Sequence, residues 1–82
     1  MNLDLNGEVE RLRGRSKNVR FEELRRLWER AGGEVIAPAR GSHHKFRLGR
    51  LVVPVPYHRP HVQRPYVVDV LKALEEYFAD RD

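Results

Sequence analysis

The order of apolar periodicities along the chain predicts an α+β fold: a helix, a three-stranded antiparallel sheet and a second helix, with the helices on one face of the sheet. Three observations carry this. Phe21, Leu24, Leu27, Trp28 and Ala31 fall on one helical stripe. Between Glu34 and Val55 come three short runs rich in β-formers, separated by Pro38-Ala39-Arg40-Gly41 and by Gly49. Val67, Val70, Leu71, Leu74, Tyr77 and Phe78 then return to a helical period. At 82 residues the chain has room for one core and no second domain.

Residues 1–19 are polar, and Leu5, Val9 and Leu12 recur at spacings that suit a short amphipathic helix or a loosely docked arm. Gly14 and Ser16 break that pattern, so Arg13 to Asn18 is expected to connect it to the main unit at 20–82. The first strongly patterned helix spans about Arg20 to Ala31. Asn18 is its expected N-cap, and Glu22 and Glu23 sit in the first turn, where the macrodipole favours acids. Gly32-Gly33 supplies a left-handed stop. Strands are expected at Glu34 to Ala37, Ser42 to Leu48 and Arg50 to Val55, the last two joined through Gly49 as a hairpin. Pro54 and Pro56 cannot donate ladder hydrogen bonds, so the third strand ends there or lies at an edge. Tyr57 to Gln63 reads as a loop. The final helix starts near Arg64-Pro65, with proline in the first turn, where its missing N–H costs nothing. This is the layout of double-stranded-RNA-binding-like domains.

Composition narrows the function. There is no cysteine, hence neither a disulfide framework nor a thiolate metal site. Met1 to Leu5 lacks the pattern of a signal peptide, and the longest uncharged apolar run, Leu51 to Tyr57, is too short to span a bilayer. A soluble, cytoplasmic protein is expected, with no membrane partner. The net charge is only +4, but its distribution is uneven. No Asp or Glu occurs from Val35 to Val68, and that segment holds Arg40, Lys45, Arg47, Arg50, Arg59 and Arg64. All four histidines lie there too. An acid-free stretch in a chain of otherwise mixed charge suits a polyanion, most often nucleic acid; the plainer alternative is a solvated loop face.

Gly41-Ser42-His43-His44-Lys45-Phe46 is the stretch that points to chemistry. Histidine is the side chain whose ordinary pKa lies nearest neutrality, so it can take or give a proton at cellular pH. Strand alternation places Ser42, His44, Phe46 and Leu48 on one side and His43, Lys45 and Arg47 on the other. Phe46 and Leu48 read as core, so His44 falls on the covered face, where a buried structural histidine is the competing reading. Beside Gly41, at the start of the strand, a core-side residue can still reach solvent. The residues alone leave His43 and His44 as equal candidates. His58 and His61, three apart, suggest a metal site, but without cysteine or a nearby acid three or four imidazoles would have to converge. No metal or other cofactor is expected.

Gly41-Ser42-His43-His44 followed by Lys45-Phe46 resembles the strand motif of HicA-type toxins, small ribonucleases of toxin–antitoxin pairs. Asn18-Val19-Arg20-Phe21-Glu22-Glu23-Leu24 looks like the opening of that family's first helix, and Gly32-Gly33-Glu34-Val35 like its helix-to-strand junction. Arg64-Pro65-Tyr66-Val67-Val68, with Leu71-Lys72 and Glu75-Glu76-Tyr77, is similar to its final helix. The likeness covers residues 8–78 in family order. The histidine-rich run Pro54 to His61 departs from common members.

The resemblance implies an α-β-β-β-α fold, metal-independent cleavage of mRNA that arrests translation and growth, and neutralisation by a HicB-like antitoxin. It assigns the essential histidine to His44, the last residue of Gly-Ser-x-His, and leaves His43 an auxiliary at most. Such cleavage needs a base for the 2′-hydroxyl, an acid for the departing 5′-oxygen and cations for the phosphate. Lys45, Arg47 and Arg40 are the expected phosphate holders, and Ser42, Arg50, Arg59 and Arg64 complete the candidate RNA-binding set. His43, His58, Tyr57 or water could supply the second proton transfer. The competing class is a non-catalytic double-stranded-RNA-binding module.

Overall fold

In the computed structural model, which describes residues 3–79, the chain runs α1 (Leu3–Arg13), α2 (Phe21–Arg30), β1 (Glu34–Ile36), β2 (His43–Leu48), β3 (Leu51–Pro56) and α3 (Arg64–Ala79). The strands form one antiparallel sheet in the order β1-β2-β3. This is an α+β fold with two N-terminal helices and one C-terminal helix around the sheet, a double-stranded-RNA-binding-like topology.

Leu5, Val9 and Leu12 are buried in the common core, so the N-terminal segment is an integral helix and not a loose arm. The helix α2 begins later than its sequence suggests: Arg20, not Asn18, is the N-cap, in extended conformation at φ −79° and ψ 149°. The reason lies in its neighbours. The Val19 carbonyl accepts the Val62 N–H at 2.8 Å, which keeps the chain extended up to Arg20. The Glu23 carboxylate then reaches back to the Arg20 N–H at 3.1 Å. At the other end Gly32, at φ 100°, closes a Schellman motif: its N–H bonds to the Glu29 carbonyl and that of Gly33 to the Trp28 carbonyl, both at 3.0 Å.

Trp28 is fully buried, and its indole N–H donates to the Arg47 carbonyl at 2.9 Å, fastening α2 to β2. A Cβ on Gly33 would sit 2.4 Å from that indole nitrogen, so only glycine fits there. Phe46, also fully buried, stands with its ring centroid 5.6 Å from that of Trp28.

The register pairs Val35 with Phe46 and Phe46 with Val53 on the covered face, and Glu34 with Arg47 and Arg47 with Val52 on the open one. Leu48 faces Leu51 across the turn, where Gly49 takes φ 60°. The Tyr57 N–H bonds to the Ser42 carbonyl at 2.7 Å, continuing the ladder past Pro56. The odd-numbered residues of β3 therefore turn their main-chain groups to β2. Pro54 and Pro56 turn theirs to the outer edge, where no donor is needed. In α3, Val67, Val70, Leu71, Ala73 and Leu74 are buried, with Tyr77 and Phe78 half-buried at its end. Among the described residues no helix is long and apolar enough to cross a membrane.

Candidate functional site

His44 is the second residue of β2, opposite Val55, on the covered face but at the end where the helix layer thins. It is half-buried. Phe21, the first residue of α2, meets its ring edge-on at 4.8 Å between centroids, and Tyr57 lies 6.2 Å away. Phe21 and Tyr57 touch each other at 5.1 Å, so three rings from three elements form one corner. The imidazole is oriented by its own strand: Nδ1 lies 2.9 Å from the Ser42 carbonyl oxygen. A carbonyl only accepts, so Nδ1 carries a proton and donates it, and in the neutral imidazole the lone pair is then on Nε2. No protein group bonds Nε2, and no unpartnered side-chain nitrogen or oxygen is buried among the described residues. Nε2 therefore faces solvent. The Ser42 carbonyl accepts from both His44 and the Tyr57 N–H, so the contribution seen for Ser42 is through its main chain.

Alternation separates the other strand candidates from this corner. His43, Lys45 and Arg47 are exposed on the open face of the sheet, and the Arg47 guanidinium pairs with Glu34 on β1. None of the three is brought to His44. Arg40 is exposed in the connection between β1 and β2, whereas Arg50, in the hairpin turn, lies at the far end of β2 from His44. The loop after β3 is what reaches the corner. The Arg59 guanidinium stands 5.7 Å from the Tyr57 ring centroid, and its Nε–H donates to the Tyr57 hydroxyl at 3.2 Å. His58 Nδ1–H donates to the His61 carbonyl at 2.8 Å, which settles its tautomer by the same logic. A cleft of ≈ 390 Å³ opens here between Arg20, Phe21, Tyr57, His58 and Arg59. Arg64 lies outside this cleft, at the start of α3, with its Nε–H on the buried Ser16 hydroxyl at 3.1 Å.

Phe21 and Arg20 belong to the corner although they fall outside the acid-free segment. The helical stripe marks Phe21 as core, but no local signal tells which strand residue it meets. Nearby, Glu23 is held to about 2 by the Arg15 guanidinium, against its partial desolvation and with help from the Arg20 N–H. This pair fixes the connection between α1 and α2. Among the described residues no three His, Asp or Glu side chains gather where a metal ion could be held.

The molecule is thus a small α+β domain with the topology of double-stranded-RNA-binding-like domains. No family model, no curated protein and no solved structure matches it.

Proposed function

We propose that this chain binds RNA. The observation that carries the reading is the state of the six cations in the acid-free segment. Arg40, Lys45, Arg50, Arg59 and Arg64 are exposed and have no carboxylate partner among the described residues; Arg47 alone is paired. Cations left free in this way can displace counterions from phosphates, and domains of this shape read RNA through backbone and 2′-hydroxyl contacts. A labelled RNA followed by fluorescence anisotropy should bind with an affinity that falls as salt rises. Absence of binding, or an affinity indifferent to salt, overturns the reading.

One observation favours a second reading, metal-independent cleavage: the Ser42 carbonyl holds His44 through Nδ1–H, so in the neutral ring the lone pair is on Nε2, which has no protein partner among the described residues. Such a nitrogen can take the proton of a 2′-hydroxyl as that oxygen attacks the adjacent phosphorus. The bond to the 5′-oxygen then breaks, and that oxygen takes a proton from an acid. Tyr57, with its ring 6.2 Å from that of His44, and His58, which follows it and lines the same cleft, are the candidates for that second transfer, and Arg59 or Arg20 would carry the phosphate charge in place of Lys45 and Arg47. The resemblance to HicA-type toxins supports this reading and adds a HicB-like antitoxin as the protein partner. RNA incubated with the protein in chelator should be cut, and co-expression with a neighbouring HicB-like gene should relieve growth arrest. Intact RNA in chelator leaves the binding module as the function.

A further inference from the structure

Three clefts adjoin one another through shared wall residues. The first, ≈ 480 Å³, opens between α1 and α3 and is lined by Arg13, Ser16, Arg64, Lys72 and Glu75. The second, ≈ 370 Å³, is lined by Lys17, His58, His61, Gln63 and Arg64. The third is the ≈ 390 Å³ cleft at the aromatic corner. Arg64 is a wall of the first two, and His58 and Pro60 are walls of the last two. Together they make one groove along the seam where the α1–α2 connection meets the loop 57–63.

Its charge is one-sided. Lys17, Arg20, Arg59, Arg64 and Lys72 line it, all exposed and all without a carboxylate partner among the described residues. The two acids on its walls are already paired: Glu75 with Arg13, and Glu22 with Arg25 at 3.8 Å. The floor is built, since the Val62 N–H bonds to the Val19 carbonyl at 2.8 Å and both side chains are fully buried. The Arg64–Ser16 bond ties α3 to the same connection. The open face of the sheet offers far less: beside the Arg47–Glu34 pair it presents Lys45 among Ile36, Val52 and Pro54.

We propose that a single RNA strand lies along this groove, its phosphates on Lys72, Arg64, Lys17, Arg20 and Arg59 and one base against the Tyr57 corner beside His44. A cation-lined groove ending on an aromatic ring is the arrangement that holds single strands with little regard to sequence. The proposal rests on the RNA-binding reading and specifies the strand's path and form. It also makes Lys17, Arg20 and Lys72, outside the acid-free segment, part of the binding surface.

The test is fluorescence anisotropy with a short oligouridylate methylated at every 2′-oxygen, which cannot be cleaved through that oxygen, alone and annealed to its complement. The logarithm of affinity is followed against the logarithm of salt. Arg64→Gln with Lys72→Gln should make the slope shallower by about 1.4, from about 0.7 per lost contact to a single strand. Arg26→Gln with Arg30→Gln removes the same charge from a separate cleft walled by Glu8 and Glu23 and should leave the slope unchanged. If Arg64→Gln lowers the melting temperature, Lys17→Gln with Lys72→Gln repeats the test without touching the Ser16 bond. Equal losses from the groove pair and the α2 pair overturn the path, and tighter binding of the duplex overturns the single strand. No binding by the unaltered protein, to this probe or to the same oligouridylate with free 2′-hydroxyls, refutes the RNA reading itself, a result distinct from both.

Discussion

The covered and open faces of the sheet are built from the same three strands and have opposite tolerances. On the covered face, Phe21 of α2 packs its ring on those of His44 and Phe46, the Ser42 carbonyl holds the His44 imidazole, and Val55 is fully buried opposite it. On the open face, His43, Lys45 and Val52 touch little, and Val52 is 52% exposed. Two histidines adjacent in sequence thus differ in almost everything that matters for chemistry. His44 has a defined tautomer and a supported ring; His43 has neither. A side chain can be half-buried and still be open to a ligand, because burial at the end of a strand orients a group without closing it off.

The sharpest way to break this contrast is to truncate each histidine. If the chain cleaves RNA, His44→Ala should lower the cleavage rate by about 10²–10⁴-fold, the range of one proton-transfer group. His43→Ala should change it little, with circular dichroism showing both variants folded. Equal losses would mean that the ring corner does not select His44. A second pair compares stability. Phe46→Ala should cost about 3–5 kcal/mol, since the ring is fully buried between Phe21 and Trp28. Lys45→Ala, next to it on the open face, should stay within about 0.5 kcal/mol in urea unfolding. Should both cost alike, the open face is covered in solution.

The smallest effect lies off the sheet, at the Arg15–Glu23 pair that steadies the approach to the corner. Glu23 titrates lower in the folded chain, about 2, than its ordinary value of 4.5. Its contribution to stability is therefore complete above that ordinary value and lost as pH falls towards 2. Melting temperature should drop across this window in the unaltered protein and drop less in Glu23→Gln. Parallel curves for the two would show that the pair does not contribute.

Much of this was legible in the sequence. The stripe from Phe21 to Ala31, the Gly32-Gly33 stop and the Gly49 turn depend on local geometry, and local residues report them. Alternation on β2 also assigned His44 and Lys45 to opposite faces correctly. Composition was a poorer guide to what surrounds His44, because the acid-free segment winds through both faces of the sheet. Lys45 and Arg47 follow His44 in the chain yet stand behind the sheet from it. Phe21 and Arg20, distant in sequence, stand beside the corner because α2 folds back over β2. Asn18 failed as a cap for a similar reason: the Val19–Val62 bond, long-range in sequence, delays the helix.

Pro54 and Pro56 have a consequence beyond the hairpin they end. A row of unpaired amides along the rim of a sheet invites another chain to zip onto it. On β3 the outward row has proline nitrogens at two of its positions, so an incoming strand finds few donors to bind. The opposite rim, β1, is only three residues long. With Ile36 and Val52 uncovered on the open face, both margins of the sheet are thus poor templates for an added strand, one for want of donors and the other for want of length.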